Sequence, residues 1–178
     1  VNIIDSDESN AVYAGLFGCV GEKGKGKIQN VGVVDSYISA TGDKVCVGGV
    51  CGYNVGGTIE NCYNTGTITA TAQAQATGIY SSVGGVCGFS FWNIFNCYNT
   101  GKVSVTGDRA WVGGVSGSNG KEIKNCYNTG EVSVAVYGGR VGGVCGENGN
   151  YGSTITNCYN TGKVSVTGGN AVVGGVCG

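Results

Sequence analysis

Ten cysteines are the side chains of this sequence with the most chemistry available to them: Cys19, Cys46, Cys51, Cys62, Cys87, Cys97, Cys126, Cys145, Cys158 and Cys177. A thiol can close a disulfide, ligate a metal or attack an electrophile, and its neighbours decide which. The chain has no histidine. That removes the thiol–imidazole pair of cysteine nucleophiles and every imidazole metal ligand. No Cys-x-x-Cys occurs either, so a zinc site would need four thiolates gathered from distant positions. Neither a metal nor a cofactor is expected. Two readings of the cysteines remain. An even count favours the disulfide framework of a secreted chain; the alternative is a buried row of free thiols packing as small hydrophobes.

The other chemistry-bearing residues are sparse. Phe89, Phe91 and Trp92 stand close together and could stack on sugar rings or seat in a partner, or could fill a gap in the core. Thr67, Thr69 and Thr71 make the Thr-x-Thr pattern of a flat ice-binding surface, but equivalent positions elsewhere carry Lys102, Glu131 and Lys163, which breaks the array. Asp5, Asp7 and Glu8 lack the rest of a calcium loop. No carboxylate pair is spaced for acid–base work, and no enzyme activity is expected. Ten Lys and Arg against eleven Asp and Glu leave a net charge of −1 over 178 residues, which gives no attraction for nucleic acid. No apolar run approaches the roughly 20 residues of a membrane-spanning helix.

The elements that position these residues are set by repetition. Asn-Cys-Tyr-Asn-Thr-Gly begins at Asn61, Asn96, Asn125 and Asn157, and Gly-Gly-Val-Cys-Gly begins at Gly48, Gly84, Gly142 and Gly174, with Gly-Gly-Val-Ser-Gly at Gly113. The second string recurs at intervals of 36, 29, 29 and 32 residues. Each repeat reads as three short strand-like pieces, the third alternating with period two: Val103 and Val105 to one face, Ser104 to the other. Thirty-seven glycines and no proline supply the turns. A unit of this size cannot bury its apolar face alone, but stacked units can. The expected fold is therefore all-β: a parallel β-solenoid of five to six coils of 29–36 residues, three strands each. One domain spans 1–178, with coils at roughly 1–47, 48–83, 84–112, 113–141 and 142–173, and a sixth begun at 174–178. Asn61, Asn96, Asn125 and Asn157 should form one ladder, and Tyr63, Tyr98, Tyr127 and Tyr159 a second.

Runs such as Val-Gly-Gly-Val-Cys-Gly-Glu-Asn-Gly followed by Ile-Thr-Asn-Cys-Tyr-Asn-Thr-Gly-Lys-Val-Ser-Val resemble the GLUG motif. The resemblance implies a secreted or cell-surface protein of bacteria, an adhesin or the non-catalytic part of a secreted peptidase, and it implies no activity of its own. The cysteines depart from it, standing where such repeats usually carry aliphatic or small residues.

Within a coil the two recurrent cysteines lie 10 to 13 residues apart, which predicts bonds Cys51–Cys62, Cys87–Cys97 and Cys145–Cys158, with Cys19–Cys46 outside the pattern. Cys126 and Cys177 are left as free or intersubunit thiols. Val1-Asn2-Ile3-Ile4 matches the third strand of a coil, and neither end carries a polar capping repeat. Head-to-tail self-association is the expected partnership, as a fibre subunit or adhesin stalk outside the cell, with a glycan or host surface as a further partner. The alternatives are a carbohydrate-binding or carbohydrate-active β-helix and an accessory module of a secreted peptidase.

Overall fold

Four parallel sheets run side by side along the molecule, and each coil contributes to all four. The computed structural model describes residues 2–21, 26–73, 80–149 and 152–178, with no side chains for residues 5–10. Asp5, Asp7 and Glu8 thus lie outside the described side chains. Among the described residues there is no helix, and three of the sheets hold five strands each, one per coil. The expected parallel β-solenoid is the fold.

The long sheet carries the alternating segments, including Tyr37–Gly48, Val103–Gly113 and Val132–Gly142. Its neighbour is built from Phe17–Val20, Cys51–Asn54, Cys87–Ser90, Ser116–Asn119 and Cys145–Asn148. The third includes Thr58–Glu60, Ile94–Phe95 and Glu122–Lys124, and the fourth Tyr63–Asn64, Tyr98–Asn99 and Tyr127–Asn128. Register is residue for residue: Cys87 pairs Cys51, Ile94 pairs Ile59, Tyr98 pairs Tyr63, and Val103 lies between Ile68 and Val132.

Each coil thus has four strands where the sequence pattern suggests three. The extra corner comes from the first Asn of the repeated string. Asn61, Asn96, Asn125 and Asn157 have φ of 52°, 52°, 54° and 52°, the left-handed region that asparagine enters more readily than other non-glycine residues. One left-handed residue turns the chain between Thr154–Thr156 and Tyr159–Asn160. The apparent single piece is two strands in different sheets.

The core follows the alternation. Ile38, Ile68, Val103 and Val132 are fully buried in one cluster lining the long sheet. Ile59, Ile94 and Ile123 stack in a second cluster with the cysteines. Each such isoleucine contributes about 1.5–3 kcal/mol of apolar burial. The glycine pairs mark where coils approach most closely: a Cβ on Gly85 would stand 2.2 Å from the Gly114 carbonyl oxygen and 2.2 Å from Asn99 Cγ. That contact leaves no room for any side chain.

Candidate functional site

Eight of the ten cysteines, all but Cys19 and Cys46, occupy two rows that run along the stacking direction. In the first, the Cys62 amide N–H donates to Cys97 Sγ at 3.4 Å, that of Cys97 to Cys126 Sγ at 3.3 Å, and that of Cys126 to Cys158 Sγ at 3.4 Å. Each thiol in turn donates to the carbonyl two residues before it, as Cys97 does to Phe95 at 3.1 Å. In the second row Cys51 pairs Cys87 in register, Cys87 pairs Ser116, Ser116 pairs Cys145, and Cys145 bridges to Cys177. Here the donation runs to the carbonyl two residues ahead: Cys87 to Phe89 at 3.4 Å, Cys145 to Glu147 at 3.2 Å. The Ser116 hydroxyl makes the same bond to Ser118 at 2.9 Å, which is why serine substitutes there.

All ten cysteines are free thiols. The bonds Cys51–Cys62, Cys87–Cys97, Cys145–Cys158 and Cys19–Cys46 expected from spacing are not formed. In-register stacking sets each recurrent cysteine against its equivalent one coil away, not against the other cysteine of its own coil. Cys19 stands in register with Tyr53, and Cys46 with Tyr13 and Ser82. Cys126 sits within its row between Cys97 and Cys158, and Cys177 faces Cys145. The free-thiol reading is the one the fold realises.

Burial sets the chemistry of these thiols. It pushes Cys46 up to about 12 and holds Cys87 and Cys145 well above the ordinary thiol range. Protonated and enclosed, they are packing groups rather than nucleophiles. Cys126 is lowered by hydrogen bonds from Cys158 and Cys97, which are raised in exchange. Half-buried Cys177 is brought down to about 7 by its hydrogen bond with Cys145. Among the described residues no group of three or more acidic, histidine or cysteine side chains is arranged to hold a metal ion.

Three polar and aromatic rows accompany the thiols. Asn61, Asn96, Asn125 and Asn157 each donate Nδ2–H to the Asn Oδ1 of the coil before, at 3.1 to 3.2 Å, the first of them to Asn30. Tyr63, Tyr98, Tyr127 and Tyr159 stack with centroids 4.9 to 5.1 Å apart and rings within 3° of parallel. These two ladders are the expected ones. The third is not in the sequence reading: Asn64, Asn99 and Asn128 are fully buried, and Nδ2 of each donates to Oδ1 of the next coil's asparagine, out to Asn160. The signal was present, since the same string supplies both asparagines.

The aromatic patch is only partly assembled. Phe89 meets Phe91 at 4.7 Å, Tyr53 at 5.5 Å and, further along, Trp111 at 6.4 Å. Phe91 is 40% exposed. Trp92 is engaged by Lys121, whose ammonium lies 3.8 Å over its ring. Outside, Lys102 and Glu131, in equivalent positions of successive coils, form an ion pair at 3.1 Å.

What this arrangement can do is repeat itself. Every row is a template whose next member adds the same bonds, and the fully buried thiols present no reactive group to solvent. Residues 43–69, 79–106 and 137–167 each match the family described as the GLUG motif. The coil between the last two, with Ser116 in place of cysteine, has the same four strands. No curated protein matches the chain, and no solved structure does.

Proposed function

We propose that this chain, which matches the GLUG motif in three stretches and folds as a solenoid, is a non-catalytic structural repeat of an extracellular assembly, a fibre subunit or the stalk of a bacterial surface adhesin. The observation that carries the reading is the polarity of the outer asparagine row. Each Nδ2 donates to the coil before it, so Asn30 offers its amide N–H groups at one end of the row and Asn157 its oxygen at the other. The two faces are complementary head to tail. Apolar side chains also line them: Leu16 and Phe17 are each 39% exposed in the first coil, and Val173, in register with the buried Val141, is 51% exposed in the last. A further coil of a longer chain or a second copy would cover them equally well. The setting outside the cell rests on the family resemblance.

Sedimentation velocity over rising concentration, with negative-stain microscopy of the same samples, tests the fibre. Rods that lengthen with concentration, in steps of about 24 Å for five coils, support it. A monomer at every concentration leaves the stalk and rejects the fibre. Asn30→Asp, which keeps the oxygen that accepts from Asn61 but removes the outward N–H donors, combined with Val173→Lys should dissolve the rods while leaving the protomer folded.

A further inference from the structure

A cleft of about 640 Å³ opens on the long-sheet side and reaches the last coil through Asn170 and Val172, and none of the rows enters it. Tyr80, Trp111, Tyr137, Arg109, Arg140 and Asn170 are among the residues that line it. Trp111 rests on Tyr80, with ring centroids 4.8 Å apart and planes 8° from parallel. Tyr137 is 61% exposed, and its hydroxyl accepts a hydrogen bond from Asn170 Nδ2 at 2.8 Å. Arg140 is ion-paired with the buried Glu147.

Two features separate this corner from a bare packing defect. The first is its chemistry. Aromatic rings are paired with planar donors and an acceptor, the lining that fixes a polar, ring-shaped ligand. The second is backbone strain. Three successive coils place a left-handed residue at this corner: Arg109 with φ 44°, Gly138 with 74° and Asn170 with 59°. Glycine and asparagine suit that conformation, and arginine does not. A strained residue kept at a cleft points to what its side chain does there.

We infer that the cleft binds a neutral oligosaccharide. The apolar C–H face of a pyranose lies on Trp111 and Tyr137, and its hydroxyls accept from Arg109 and Arg140 and donate to Glu147. The Arg140–Glu147 pair supplies donors and an acceptor whose charges cancel, and the buried Glu147 carboxylate stands against a second carboxylate beside it. Trp111, Tyr137, Arg109 and Arg140 lie in coils before the last, and none of the groups assigned to the sugar belongs to a stacking row, so the site does not require that the chain form fibres. It also moves the sugar-binding expectation from Phe89, Phe91 and Trp92 to a neighbouring corner.

The chain has two tryptophans, so Trp92→Phe leaves Trp111 as the sole reporter. Its emission is titrated with cellohexaose, maltohexaose, chitohexaose and, as the anionic control, hexagalacturonate. A saturable shift with at least one neutral hexasaccharide is expected, weakened about tenfold by Tyr137→Ala, with the circular dichroism unchanged. No shift from any neutral probe up to about 10 mM overturns the inference. So does a response to hexagalacturonate alone, which makes the cleft an anion site, or an affinity that Tyr137→Ala leaves unaltered.

Discussion

Replacing Asn99 by alanine tests the buried asparagine row against the exposed one. Asn99 is fully buried, donates to the Gly101 carbonyl at 2.8 Å and to Asn128 Oδ1 at 2.9 Å, and accepts from Asn64 Nδ2 at 2.9 Å. Three buried hydrogen bonds at about 1 kcal/mol each put the loss near 3 kcal/mol. Asn96 makes two bonds of the same kind, to Asn61 and from Asn125, both at 3.1 Å but in solvent. Their loss costs little, yet alanine must then hold a φ of 52°, a strain of about 1 kcal/mol. Asn96→Gly removes the same bonds without that strain and should be nearly neutral. Urea unfolding followed by far-UV circular dichroism measures all three. The slope is checked in each, because coils joined only to their neighbours can unfold piecewise. The expected order of cost is Asn99→Ala, then Asn96→Ala, then Asn96→Gly. If Asn99→Ala costs no more than Asn96→Ala, the buried row does not hold the corner. If the two Asn96 variants agree, the left-handed argument fails.

Glu131→Lys faces Lys102 with a like charge, and because the pair is about half exposed it should cost only about 0.2–1 kcal/mol, shrinking in high salt; a loss of several kcal/mol would place the position in the core. Stability should fall above pH 9. Burial raises Cys46 to about 12 and holds Cys87 and Cys145 up, so these thiols stay protonated in the fold while the unfolded chain ionises. The stability they preserve is complete below the ordinary thiol value and drains by about 1.4 kcal/mol per pH unit for each as pH rises toward the folded value. A flat urea midpoint from pH 8.5 to 10.5 would show the thiols to be solvated. Arg109→Gly relieves the strain at φ 44° and should raise stability by about 1 kcal/mol while weakening binding of the neutral hexasaccharide; an unchanged or lower melting temperature contradicts the strain.

Repetition made the fold readable, because a string that recurs at nearly constant intervals can only be satisfied by stacking its copies. The same regularity exposed the Val103 and Val105 alternation, the Lys102–Glu131 pair and the outer asparagine and tyrosine rows. The fourth strand was hidden because one left-handed asparagine leaves no mark on hydrophobic periodicity. Asn64 and its equivalents read as turn residues; they are core residues because Gly49 and its counterparts have no Cβ, and one built there would stand 2.6 Å from Asn64 Cγ. The disulfide expectation failed on direction, since separation along the chain says nothing about whether two thiols face each other across a coil or up the stack. Tyr80, Trp111 and Tyr137 lie about thirty residues apart, and only the register collects them.

The in-register free-thiol rows are the centre of this account. Solid-state dipolar recoupling on protein labelled with carbonyl-13C cysteine, with a second sample labelled at the cysteine β-carbon for redox state, reads them directly, because Cys62, Cys97, Cys126 and Cys158 form one row, while Cys51 with Cys87 and Cys145 with Cys177 supply two stacked pairs. Most of the label should dephase with a carbonyl–carbonyl distance of about 4.8 Å, and the side-chain shifts should be those of reduced cysteine. Distances beyond about 6 Å for the bulk of the label, or oxidised shifts, would contradict the stacked-thiol solenoid.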